Sequence, residues 1–215
     1  MSIHAAQTIA ALDGGLAYHT RTLRAPPFAA HFGPLIDLRA LGETDLSGLP
    51  CLMIPCRTNG ARLAAHKAQL ATYLEAGGVL VVMGETHPER FLDGVHVAPE
   101  PTNFWWWLEA GAELGVRIAA PDHPLMVGLR ESDATWHIHG ALTFDAPSQT
   151  LLSWDGSSAV DGSKRWGGAI LAEQRRGAGQ LVVTTLDPIY HHGSGFMPAT
   201  TRFLERFLPA LRAAL

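Results

Sequence analysis

Cys51-Leu-Met-Ile-Pro-Cys56 and Val79-Leu-Val-Val-Met-Gly84 are two short, nearly unbroken apolar runs separated by a single helical pattern. Runs of this length without alternation fit strands covered on both faces, the environment of a parallel sheet. Between them, Ala61-Arg-Leu-Ala-Ala-His-Lys-Ala-Gln-Leu-Ala-Thr-Tyr-Leu-Glu-Ala76 sets Leu63, Leu70, Tyr73 and Leu74 at helical spacing, and Gly77-Gly78 supplies the stop. Strand, helix and strand in that order predict a βαβ unit with a right-handed crossover, and so an α/β fold.

Working outward, residues 8–13 and 35–38 read as weaker strands, and 17–31 as helical until Pro26-Pro27 interrupts. Residues 85–135 are rich in proline and glycine and contain Asn103-Phe-Trp-Trp-Trp-Leu-Glu109, which predicts an irregular excursion over the sheet's edge; long excursions of this kind often act as lids. Residues 137–144, 150–154, 168–174 and 180–185 are four short strand candidates, the last two joined as a hairpin by Arg175-Arg-Gly-Ala-Gly179. A closing helix over 198–215 starts at Pro198 and aligns Phe203, Leu204, Phe207, Leu208 and Leu211 on one stripe.

The composition narrows the function classes. Apolar residues make up 47% of the 215 and charged residues only 17%, so the whole chain is expected to fold as one domain. The net charge of −4, with Lys and Arg scattered, carries no electrostatic footprint for nucleic acid and points to a small-molecule partner. Cys51 and Cys56 close an extended segment and would stand about 16 Å apart, beyond disulfide reach, so both are expected as free thiols. The first residues lack the basic and apolar regions of a secretory signal, and no run of 18 apolar residues occurs; the expectation is a cytoplasmic protein with no membrane partner.

The order of these motifs resembles the class I glutamine amidotransferase-like superfamily, and within it the trehalose-utilisation (ThuA-like) branch. The resemblance runs from about residue 8 to the C-terminus. It rests on Ile54-Pro55-Cys56, the helix into Gly77-Gly78, the strand into Met83-Gly84-Glu85-Thr86, Asp122-His-Pro-Leu-Met-Val-Gly-Leu129 and Leu181-Val-Val-Thr-Thr-Leu-Asp187. It implies one amidotransferase-like domain over 1–215: a flavodoxin-like three-layer sandwich with a mostly parallel central sheet and an antiparallel C-terminal portion. Catalytic members carry a cysteine on the turn that here reads Met83-Gly84-Glu85-Thr86-His87, and a His-Pro-Glu element where this chain has Asp187-Pro188-Ile-Tyr-His191-His192. Glutamine hydrolysis through a thioester is therefore not expected.

In doubly wound sheets ligands bind outside the carboxyl ends of the strands. Three such ends carry polar residues: Cys56-Arg57-Thr58-Asn59-Gly60, Glu85-Thr86-His87, and Asp187 with His191-His192. Solvated turns are the plain alternative for each. Glu85, Asp187, His191 and His192 are the candidates for acid–base work, and Cys56, Arg57, Asn59, Thr86, His87, Trp106 and Ser194 the candidates for ligand contact. Cys56 reads better as a structural thiol than as a nucleophile, since it follows a proline on the wrong strand for the superfamily's elbow. His191-His192-Gly193-Ser194-Gly195 is expected as a loop before the final helix. His137-Ile-His139 on a strand would turn both imidazoles to one side, a workable pair for a divalent metal such as Zn, Fe or Mn; the alternative is hydrogen-bonded structural histidines. Of Trp105, Trp106 and Trp107, at least two are expected in the core, with the remainder facing a ligand or a partner.

The function expected from these readings is a small-molecule-binding protein or a hydrolase without a cysteine nucleophile, on a carbohydrate-related ligand as the ThuA-like resemblance implies. A non-catalytic scaffold, or a homo-oligomer subunit assembled through the tryptophan segment, is the alternative.

Overall fold

A computed structural model describes residues 8–98, 105–108, 110–156 and 167–215. The two apolar runs form β3 (Cys51–Ile54) and β4 (Val79–Met83), paired in parallel from Cys51↔Val79 to Ile54↔Val82. β1 (Ile9–Asp13) lies parallel to β3 on its other side and to β2 (Phe32–Asp37) beyond, while β10 (Gly179–Thr184) runs parallel to β4. β9 (Gly168–Arg176) turns back antiparallel to β10 through the expected hairpin, with Gly177 at φ +58°.

The sheet order is β2-β1-β3-β4-β10-β9 and then β7 (Ala141–Phe144) and β5 (Val95–Ala98), with β8 (Gln149–Trp154) on β9 and β6 (Val116–Ile118) on β8. The fold is thus mixed α/β, with ten strands among the described residues, parallel in the first half of the sheet and antiparallel in the second.

Period-two alternation sorts the central strands onto two apolar clusters, one per face. Ile9, Ala11, Cys51, Met53, Val81, Met83 and Val182 join the first, together with Leu23, Ile189, Phe203 and Phe207. Those four come from α1 (Ala17–Arg24), α4 (Pro188–Ser194) and α5 (Pro198–Ala214). Leu12, Leu52, Ile54, Leu80, Val82, Leu181 and Val183 join the second, with Leu63, Leu70 and Leu74 of α2 (Gly60–Ala64) and α3 (Lys67–Glu75). Helices therefore cover both faces, which is why β3 and β4 tolerate no polar residue.

Four expectations change. The helix over 61–76 divides at Ala65-His66, where the amides of Ala65 and His66 bond back three residues to Arg62 and Leu63. No side chain from 64 to 69 is buried, so that turn has no core contact to hold it in α geometry. The excursion over 85–135 is not wholly irregular: it adds β5 and β6, strands of four and three residues too short to show periodicity, to the far end of the sheet. His137 and His139 lie on no strand, since β7 begins at Ala141. Residues 191–194 are helical, not a loop: Pro188 occupies the first turn of α4, and Gly195 at φ +80° caps it in the left-handed conformation. Among the described residues no helix is long and apolar enough to cross a membrane. Both cysteines are free and buried.

Candidate functional site

The carboxyl ends of β3, β4 and β10 meet at Gly84. Its φ is +60°, and a Cβ there would stand 2.8 Å from the Cys56 Cβ and 2.9 Å from the Asp187 Cβ, so only glycine lets the three strand ends close together. The turn after β4 then carries Glu85 outward and the turn after β10 carries Asp187 inward.

Asp187 is completely buried. Trp136 Nε1 donates to its Oδ1 at 3.1 Å, His191 Nε2 lies 3.2 Å from the same oxygen, and His139 Nε2 lies 3.2 Å from Oδ2. Burial alone would raise the carboxyl's pKa, but the His139 and His191 imidazoles beside it outweigh that and bring it down to about 2. Asp187 is therefore an anion held in the interior. Burial disfavours charge on His139, yet Asp187 and then Glu85 more than compensate, and the imidazole is raised above its ordinary value.

His139 spans the two carboxylates, since its Nδ1 is 3.5 Å from Glu85 Oε1. Trp136 and Ile138 are buried while His137 and His139 are half-buried, so the segment still alternates and keeps both imidazoles on one side, their ring centroids 6.2 Å apart. His137 also meets His191 edge-on at 4.9 Å. His191 reaches Asp187 because the two are four residues apart at the start of α4.

Arg57 completes the cluster. It adopts φ +60°, a strained position for a residue with a Cβ, and its guanidinium lies 3.5 Å over the Tyr190 ring, 2.7 Å from Glu85 Oε2 and 3.8 Å from Asp187 Oδ2. Two openings flank the Arg57–Glu85 pair. A pocket of about 230 Å³ is lined by Gly84, Glu85, His87, Val97, His139 and Thr185. A cleft of about 520 Å³ opens where strand order reverses between β1 and β3, lined by Gly14, Gly15, Asp37, Arg39, Arg57 and Arg62. A larger cavity, about 710 Å³, lies at the opposite, amino ends of the strands beside Thr8, Pro50 and Gly78; Tyr73 is the one ionisable side chain lining it.

The structure thus brings together Glu85, Asp187, His137, His139, His191 and Arg57. His192 points away, with Nδ1 2.8 Å from Thr201 Oγ1 and its ring against Phe28. One residue along a helix is a 100° rotation, so adjacent histidines cannot share a site. Cys56 is corrected as a ligand contact, since it is completely buried; burial also pushes its thiol far up, in keeping with the structural thiol expected of it. Thr86 is completely buried too. Asn59 caps α2, its Oδ1 accepting from the Arg62 amide at 3.0 Å on the rim of the cleft. His87 is exposed on the pocket's edge, 3.1 Å from Glu89, and Ser194 ends α4 one turn beyond Tyr190.

Trp106 Nε1 donates to the Trp136 carbonyl at 3.1 Å, so this ring backs the segment that carries the histidines. Trp105 and Trp107 are 65% and 51% exposed, against the expectation that two of the three would be core. Phe104 lies outside the described residues. Sequence reasoning missed Trp136 and Tyr190 as parts of the site. Only a helix beginning at Pro188 would have placed Tyr190, and nothing local marks Trp136.

No family model matches the sequence, and no curated protein matches it. The fold is similar to two solved structures. "Cytoplasmic Protein STM1381" from Salmonella typhimurium LT2 aligns at a TM-score of 0.57 and 13% identity, over 94% of this chain and 98% of that one. "Cytoplasmic Protein STM3548" from Salmonella typhimurium aligns at 0.56 and 9%, over the same shares. At these identities the likeness shows the fold alone: a mixed α/β domain of this size and architecture. The exo-beta-1,4-mannosidase Op5Man5 from Opitutaceae bacterium strain TAV5 covers 97% of this chain with 36% of its own at 16% identity, and its TM-score of 0.49 carries no argument.

Proposed function

We propose that this chain is a small-molecule hydrolase of the amidotransferase-like superfamily that works without a cysteine nucleophile, on a small polyhydroxylated, carbohydrate-related ligand. The observation that carries the reading is His139, held between buried Asp187 at 3.2 Å and solvent-facing Glu85 at 3.5 Å on the wall of the 230 Å³ pocket. Asp187 fixes the ring, and Glu85 stands where it can take a proton from an attacking water. The parallel half of the sheet, β2-β1-β3-β4-β10, follows the 2-1-3-4-5 order of flavodoxin-like sheets and has helices on both faces, which supports the superfamily assignment and its three-layer sandwich. The pocket is below the usual range of about 300–1,000 Å³ for ligand sites, which suits one sugar-sized ring. Free buried thiols, and the word "cytoplasmic" in the descriptions of both similar structures, support a cytoplasmic setting.

The test is a panel of monosaccharides, sugar acids, their lactones and simple glycosides, scored by thermal shift and by product release. At least one compound should bind and turn over, and Glu85→Gln should lower kcat by about 10²-fold or more while leaving Tm unchanged. Turnover undiminished in Glu85→Gln, or no binding anywhere in the panel, would overturn the proposal.

A second reading, a non-catalytic subunit assembled through the tryptophan segment, is favoured by one observation. Trp105, Trp107 and Leu108 expose three large apolar side chains within four residues.

A further inference from the structure

His137 and His139 arrive from the extended segment before β7, and His191 from α4. One ring nitrogen of each lies within 4.8 Å of the other two. His191 is 1% exposed. Its Nδ1 has no hydrogen-bond partner among the described residues, and its Nε2, though 3.2 Å from Asp187 Oδ1, is out of line for a hydrogen bond. Burying an imidazole nitrogen without a partner has the free-energy cost of a lost hydrogen bond, and a ligand on His191 would remove that cost. A cation suits this place, because one nitrogen from each of three imidazoles converges there as a neutral donor.

We propose that His137, His139 and His191 bind one divalent transition-metal ion, zinc being the best fit, with Asp187 as the outer carboxylate that orients two of the three rings. Three neutral imidazoles select zinc and its transition-metal neighbours over magnesium and calcium, which prefer oxygen ligands. A metal-bound histidine usually gives its other ring nitrogen to a carboxylate, and Asp187, 3.2 Å from Nε2 of both His139 and His191, is near enough to accept from both once the rings turn onto the ion. The Asp187 charge, buried completely, also offsets that of the ion. Tetrahedral zinc sets its nitrogens roughly 3.4 Å apart. The rings must therefore close by about 1.4 Å at most from their 4.8 Å limit. Glu85, His139 and Asp187 meet the same spacing limit. That triple holds an ion less well, because the Arg57 guanidinium, 2.7 Å from Glu85 and 3.8 Å from Asp187, already sets a positive charge there.

The inference deepens the hydrolase reading by naming its cofactor, and it rests on that reading only for what fills the fourth coordination position. Its test does not need turnover. Protein purified without a metal-affinity tag and stripped with a chelator is titrated calorimetrically with zinc chloride and, separately, with magnesium chloride. Cobalt loading is followed by the visible absorption of four-coordinate cobalt. One equivalent of zinc should bind with Kd below about 1 µM and magnesium should not. Asp187→Asn should weaken zinc by about 10- to 100-fold, and His137→Ala by at least as much. His192→Ala, off the site, should leave binding unchanged. His191→Ala removes a buried ring and so tests folding as well as binding, and half-buried His137 carries the decision. No zinc binding at 1 µM, equal affinity for magnesium, or full affinity in His137→Ala would overturn the site. Zinc bound with no ligand in the sugar panel would leave the site standing and sink the hydrolase reading; ligand turnover by protein that binds no zinc would do the reverse.

Discussion

His19 joins the ends of β1 and β3 through two polar contacts made in the interior. The Gly14 amide donates to its Nδ1 at 3.1 Å, which fixes Nδ1 as the acceptor and leaves Nε2–H to donate to the Cys56 carbonyl at 2.9 Å. The ring is completely buried and neutral, and burial lowers its pKa below the ordinary 6.5 despite the Cys56 bond and Asp13. In the window below 6.5 the unfolded chain binds a proton on this residue and the native chain does not, so stability rises with pH there. The contribution is whole above 6.5 and is lost as pH falls toward the folded value, at no more than about 1.4 kcal/mol per pH unit. Urea denaturation from pH 7.5 to 5.5 should show a steeper loss in the native sequence than in His19→Gln, which is less stable at pH 7.5 but lacks this proton. Parallel curves would remove His19 as the cause. None of this was legible in the sequence, where His19 is one of eleven histidines with no motif around it.

At the scale of elements, α5 reaches the site without touching a ligand. Its Phe203 stacks on Phe207 at 5.2 Å and meets the Trp136 ring edge-on at 5.7 Å, and Trp136 in turn donates to Asp187. Phe203→Ala should cost about 3–5 kcal/mol in denaturant titrations, the usual range for deleting a fully buried aromatic ring. A loss under about 1 kcal/mol would mean that the helix is not anchored there. The apolar stripe of α5 was readable in advance because a 3.6-residue period writes itself along 17 residues. α4 was not, at seven residues and with a composition of Pro, His, Gly and Ser that reads as loop. Its helical form comes from packing: Gly193 lets it lie against Tyr18 of α1, where a Cβ would meet the Tyr18 carbonyl oxygen at 2.3 Å.

For the whole molecule, the open question of assembly falls on Trp105 and Trp107, whose rings lie 5.9 Å apart on the surface. If this segment joins two copies, Trp107→Ala should shift sedimentation velocity toward the monomer while circular dichroism stays native. A native chain that sediments as a monomer at all concentrations would dispose of the scaffold reading. Among three adjacent tryptophans only Trp106 is half-buried, packed against the core's edge, which shows why composition could not decide it: tryptophan's area argues for the core, but a 3-10 turn can turn only one ring of three inward.

The sequence by itself determined the βαβ centre, the hairpin into the last strand, the closing helix and the rim on which polar residues gather. Each is set by a local period or by a turn residue within a window of ten or so positions. Only the tertiary structure decided which polar residues meet. It chose His191 over His192, left Cys56 as buried filling, and drew Trp136 and Tyr190 into the site. The reason is physical: a site is made of contacts between segments as far apart as Arg57 and Asp187, and such contacts depend on how helices rotate and pack, which no local pattern records.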